Sequence, residues 1–182
     1  EPYALQGMGL PPGPLTVRFR VAPDLFFWPR QGGEVDLRYR YPVASWLDRD
    51  ASRLDVSLNG QYLKSLPVTG SWWSGLLGKA GVNSTDNNSD VVIPRYSLFG
   101  QNELVFDYNL IVADKSKCTG MLPDNVRVAV LPESKIDLTT AYHGIEMPDL
   151  APFASAGYPF TIRPDLAETT VIMASEPSAA AI

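Results

Sequence analysis

The chain has 182 residues, 45% of them hydrophobic and 19% charged, with 14 glycines and 16 prolines; so many chain-breaking residues disfavour long helices, and this much apolar material excludes a wholly disordered chain. Its 15 basic and 20 acidic side chains leave a net charge of −5 with no run of more than two Lys or Arg, which argues against a nucleic-acid surface, because phosphate neutralisation needs clustered cations. Strictly apolar runs such as Leu25-Phe26-Phe27-Trp28 fall far short of the roughly 18 residues that a membrane-crossing helix requires.

The chain opens at Glu1-Pro2 without a basic-then-apolar leader, which reads as a mature or excised segment. From residue 15 it alternates with period two. Leu15, Val17, Phe19 and Val21 fall on one side and Thr16, Arg18 and Arg20 on the other, the pattern of a half-buried strand. After turn material at Pro29 to Gly33 a second alternation places Val35, Leu37, Tyr39 and Tyr41 inward, and Pro42 ends it. Asn59-Gly60 lies between two alternating runs and predicts a type I′ hairpin, because both central positions of that turn need positive φ. An unbroken ladder from this turn pairs Leu58 with Gln61, Val56 with Leu63 and Leu54 with Ser65 on one face. On the other it pairs Ser57 with Tyr62 and opposes the charges of Asp55 and Lys64.

Residues 70 to 90 show no period and read as a long insertion, a feature often functional in compact domains. Val91 to Ile93, the run Leu104, Phe106, Tyr108, Leu110, and the run Val126, Val128, Val130 supply further strands. Together they predict an antiparallel sandwich of the jelly-roll kind. Beyond about residue 131 the texture changes. Ile136 to Leu138 is strand-like, and a short helix begins at Pro148-Asp149-Leu150 with Leu150, Phe153 and Ala154 on one face and Gly157 placed to end it. Thr169 to Met173 reads as a compact apolar strand, and Glu176 to Ile182 as a first helical turn. The fold class is thus mainly β: a jelly-roll sandwich over 1–128, followed by a truncated α/β segment over 129–182.

Few residues offer chemistry. His143 is the one imidazole, and no HExxH, CxxC or GxSxG spacing occurs, so His143 is read as structural or surface. Cys118 follows Lys115-Ser116-Lys117 and is read as a loop cysteine, with any disulfide partner outside this chain. Asp86-Asn87-Asn88-Ser89-Asp90 imitates the first half of a calcium loop. Val91 stands where Gly is needed and Ser97 where the bidentate Glu is needed, so the stretch is read as a solvated polar loop. Acids such as Asp36, Asp55 and Asp107 fall on outward strand positions, which does not favour the paired carboxylates of a glycosidase. The aromatic residues point elsewhere, since a sugar's apolar face stacks on Trp or Tyr. Trp72 and Trp73, in a Gly/Ser loop, and Trp46, before Asp48-Arg49-Asp50, are the candidate carbohydrate-binding residues, while Trp28 is read as core.

Longer motifs carry a resemblance. Tyr142-His143, Met147-Pro148-Asp149-Leu150, Phe153-Ala154, Gly157-Tyr158-Pro159-Phe160-Thr161, Asp165-Leu166 and Glu168-Thr169 resemble the opening of a flavodoxin-like domain in the periplasmic regulatory subunit of bacterial cellulose synthase. Pro23-Asp24-Leu25, Asp36 to Pro42 and Ser52 to Gly60 resemble the carbohydrate-binding domain that precedes it. The resemblance implies a non-catalytic, periplasmic subunit supporting the membrane glucosyltransferase subunit, with the emerging β-1,4-glucan as a contact. It implies inner-membrane attachment through an anchor outside this fragment, a family name tied to cyclic di-GMP whose site belongs to the catalytic subunit, and no catalytic residue. No cofactor is implied, flavin included, because no phosphate-cradling loop is present. Self-association stays open. The competing reading is a secreted jelly-roll carbohydrate-active enzyme acting on a glucan.

Overall fold

The computed structural model describes residues 4–29, 31–42, 44, 46–68, 84–113, 126–144, 150–163, 165–167, 169–176 and 178. Two alternating runs organise them. In β4 (Gly32–Pro42), Val35, Leu37, Tyr39 and Tyr41 are buried while Glu34, Arg38 and Arg40 are exposed. In β8 (Gln101–Val112), Leu104, Phe106, Tyr108 and Leu110 are buried, as period two requires. Each run nucleates a sheet. In the first, β4 pairs antiparallel with β7 (Ser84–Pro94) along its whole length, and with β9 (Arg127–Val130) and β10 (Lys135–Asp137); β1 (Leu5–Met8) adds to β9. In the second, the order is β2 (Leu15–Arg20), β8, β5 (Leu47–Leu58) and β6 (Gln61–Pro67). The inward residues of both sheets form one cluster, so the molecule is mainly β and the sheets face each other as a sandwich. Two buried tyrosines tie the layers: the Tyr39 hydroxyl donates to Pro67 O at 3.0 Å and that of Tyr108 to Ala129 O at 2.8 Å.

The expected hairpin register holds for only two pairs. Leu58 faces Gln61 and Ser57 faces Tyr62, but a bulge between Val56 and Ser57 then sets Val56 against Lys64, Asp55 against Ser65 and Leu54 against Leu66. The unbroken ladder would have turned Ser65 into the core and Leu66 into water. Burying a leucine is worth about 2 kcal/mol, enough to displace the register the turn alone sets. Leu66 is accordingly 1% exposed, Asp55 accepts a hydrogen bond from Ser65 Oγ, and Lys64 Nζ donates instead to Asp90 O at 2.7 Å.

Three further expectations are corrected. Asp86 to Asp90, read as a loop, lies in β7 and pairs residue for residue with Arg40 to Asp36. Its polar sequence is tolerated because Asp86, Asn88 and Asp90 point outward, where Arg40 grips Asp86 through two hydrogen bonds of 2.6 and 3.0 Å. The strand at 135–137, read as the start of an α/β unit, is instead a sandwich strand on β4. Gly33 permits this, because a Cβ there would meet Leu138 Cδ2 at 2.7 Å. Thr169 to Met173 forms no strand: Val171 and Ile172 are 76% and 92% exposed, and no described strand pairs with them. The position 128/129, where the sequence texture divides, falls inside β9, whose residues pair with β1 and β4 on both sides of it. The helix α1 (Leu150–Ala156) does form and ends where expected. Gly157, at φ 75, donates to Phe153 O and Tyr158 to Pro152 O, a left-handed cap. Trp72, Trp73, Cys118, the helix start at 148–149 and the terminal turn at 179–182 fall outside the described residues.

Candidate functional site

Exposed aromatic rings concentrate at the end of the sandwich where β3 (Leu25–Phe26) meets β11 (Tyr142–His143). Leu25 to Trp28 alternates like any strand: Phe27 is buried at 5%, while Phe26 and Trp28 are 40% and 55% exposed. Trp28 is therefore not core, because its side of the alternation faces solvent. Its ring meets Phe26 edge-on at 5.0 Å, and Phe26 lies 6.5 Å from Tyr142. Phe26 continues into a groove of about 390 Å³ that Val21, Arg95, Tyr96, Leu98 and Phe99 also line. Tyr96 and Phe99 are both more than half exposed, and Arg95 is the charged residue of the lining. Ring faces beside a guanidinium and a phenol can stack a pyranose and hydrogen-bond its hydroxyls.

The groove's wall is fixed by the hairpin turn. Asn59 Nδ2 donates to Ser97 O at 2.8 Å and to Asn102 Oδ1 at 3.0 Å, and Ser97 Oγ donates to Gln61 Oε1 at 2.8 Å. Asn102, 4% exposed, closes the Phe99 loop by accepting its N–H and donating to its carbonyl. The Asn-Gly signal thus has a second role that the sequence does not disclose.

Of the residues nominated from sequence, Trp46 is half-buried, packs against the core and does not line the groove; its carbonyl accepts the Ala113 N–H at 2.8 Å. His143 Nδ1 lies 2.9 Å from Oδ2 of Asp24, a carboxylate buried to 5% exposure. Asp36 and Asp55 are half-buried and Asp107 is exposed, all on outward strand positions. Among the described residues no group of three His, Cys, Asp or Glu is placed to hold a metal ion, and no helix is long and apolar enough to cross a membrane. Arg18, Arg40 and Arg53 are each paired with a carboxylate, Arg53 with Asp55 at 3.5 Å. The Trp28 to Phe99 surface is hidden in the sequence because four apolar residues in a row conceal their own alternation.

A two-sheet antiparallel sandwich with solvent-facing aromatic rings at one end belongs to the architecture used by carbohydrate-binding modules. The family comparisons agree: residues 1–135 match the second CBM domain of cellulose synthase BcsB, and residues 143–182 match its second FD domain. The chain belongs to the BcsB family. It is 39% identical over 180 residues to a cyclic di-GMP-binding protein of Komagataeibacter xylinus, covering 96% of this chain and 22% of that one. It is 34% identical over 186 residues to cellulose synthase 1 of Novacetimonas hansenii, covering 98% and 12% respectively. The chain thus spans under a quarter of the length of these curated relatives. A solved structure, dimeric latent PorU of Porphyromonas gingivalis, aligns over 64% of this chain and 10% of its own at a TM-score of 0.40 and 15% identity, too slight a likeness to define a fold.

Proposed function

We propose that this chain is part of a non-catalytic cellulose synthase subunit that stands in the periplasm beside the membrane glucosyltransferase subunit and contacts the emerging β-1,4-glucan. The observation that carries the reading is the match of residues 1–135 and then 143–182, in order, to the second CBM and second FD domains of BcsB. The names of the relatives, cellulose synthase and cyclic di-GMP-binding protein, point to the same complex. Membrane attachment and docking on the catalytic subunit belong to the whole subunit. Sequence texture sets the division at 128/129, but with β10 paired to β4 the sandwich is taken to run through 137 and the flavodoxin-like part to begin near 143, where the second family match starts.

For glucan contact the candidates are Trp72, Trp73 and Trp46, to which the exposed rings of Trp28 and Tyr96 are added. Titration of cello-oligosaccharides separates them. The Trp72→Ala/Trp73→Ala and Trp28→Ala/Tyr96→Ala variants are each expected to weaken binding by about tenfold, the loss of one or two stacking contacts at about 1 kcal/mol each. Absence of binding in the unmutated protein and in both variants would remove glucan contact and leave the rings as protein-contact residues. New reducing ends released from a soluble glucan would instead favour the carbohydrate-active enzyme.

A further inference from the structure

Between two domains of one chain an exposed, mobile connection is the default expectation. Here the stretch that joins the two family matches is tied to the sandwich at successive points. Leu131 N–H donates to Arg38 O at 2.8 Å, β10 pairs with β4 through Ile136 and Val35, and Thr140 Oγ1 donates to Gly32 O at 2.8 Å. Tyr142 and His143 then pair with Phe26 and Leu25, and Gly144 N–H donates to Asp24 O at 3.0 Å.

The last anchor is built on a buried charge. Asp24 sits in a turn closed by Leu25 N–H to Ala22 O, with Pro23 at the position where a turn favours proline. Its Oδ2 meets His143 Nδ1 at 2.9 Å, while its Oδ1 is buried with no hydrogen-bond partner among the described residues. An apolar side chain would fill this place without the desolvation of a half-paired carboxylate, so stability alone does not account for it; a buried polar group is best attested where it fixes a register, here through the more exposed His143. Each bond of the anchor is made to one short segment, 142–144.

We infer that Asp24 and His143 form a latch that fixes the first residues of the second domain to the end of the sandwich. The junction is then a strap rather than a tether, and relative movement of the domains starts beyond Gly144. Asp24 acts as a positioning residue.

The test uses the full chain with Cys118→Ser, Asp107→Cys and Gly144→Cys, spin-labelled at the two cysteines. Asp107 is exposed on the sandwich, and a Cβ at Gly144 meets nothing within 4 Å. The expected distance distribution is narrow with the latch intact and broad in Asp24→Ala and in His143→Ala. In the unlabelled protein, exchange of the Gly144 amide is expected to accelerate at least about tenfold in either variant while Phe106 and Tyr108 keep their protection. Should Asp24→Ala lose that protection and so unfold the sandwich, His143→Ala decides, since its side chain is 56% exposed. A broad distribution in the unmutated latch, or a narrow one retained in either folded variant, overturns the inference.

Discussion

Asn59 closes the β5–β6 hairpin at φ 52 beside Gly60 at φ 77, and its side chain also reaches across to the groove wall and accepts Glu103 N–H at 2.8 Å. Asn59→Ala loses both the tolerance of positive φ and the side-chain bonds, each worth about 1 kcal/mol. Urea unfolding is expected to show a loss of about 4 kcal/mol for the φ and the three side-chain bonds, and Asn59→Gly, which keeps the turn, a loss of about 3 kcal/mol. Tyr39 is buried, and this burial, reinforced by neighbouring Tyr41, raises its phenol from 10.0 to about 12. The unfolded chain therefore releases this proton first as pH rises. The stabilisation is complete below pH 10 and is lost between 10 and about 12, by about 3 kcal/mol, with burial holding Tyr108 neutral in the same way. Tyr39→Phe is expected to flatten the alkaline limb of a stability-versus-pH curve. Asp86 is shifted the other way, its carboxyl held below the ordinary 3.8 by the hydrogen bond from Arg40. Its contribution is present above that ordinary value and disappears as pH falls through the depressed one. Because both partners are about half exposed, Asp86→Asn is expected to lose less than about 1 kcal/mol at pH 7, a loss that shrinks as pH falls through the depressed value.

At the scale of elements, the bulge in the hairpin makes a distinction that melting experiments can check. Leu66 fills the core opposite Leu54, whereas Leu63 is half-buried at its margin. Leu66→Ala is expected to lose about 3 kcal/mol and Leu63→Ala about 1 kcal/mol; the reverse order would restore the unbroken ladder. The strands legible in the sequence, β4, β8 and β9, combine regular alternation with inward β-branched, aromatic or leucine residues, which is the signal period two gives for a half-buried sheet. The polar half of β7 carries no such signal, because Asp86 to Asp90 is polar on both sides and is held as a strand by pairing with β4, while Val91 to Ile93 at its end is legible. Trp28 misleads for the opposite reason, as a contiguous apolar run looks buried on both faces. Thr169 to Met173 has strand composition but no described partner to hydrogen-bond it, and α1 leaves Leu150 and Phe153 exposed. Both are elements whose apolar faces need more of a domain than surrounds them here.

For the whole molecule, every residue of the core cluster lies between Leu15 and Val130, with Ile136 packed on its margin. A chain ended after Gly144 is therefore expected to melt within a few degrees of the full chain by calorimetry, whereas one ended at Leu131 loses β10 and the latch and melts lower. The aromatic end, the strap and the first residues of the second domain converge on one edge of the sandwich. The proposed glucan contact and the proposed interdomain latch are thus neighbours in space, although Leu25 and His143 are far apart in the chain. Sequence alone determined the mainly β class, the inward faces of the long strands, the hairpin turn, the helix cap and the family, because period, turn chemistry and motif order are local properties. Tertiary structure decided the bulge, the polar strand β7, the exposure of Trp28 and the burial of Asp24 against His143. Each of these depends on which distant segment supplies the hydrogen bonds or the apolar partner, and pairing between distant segments is not written in any local pattern.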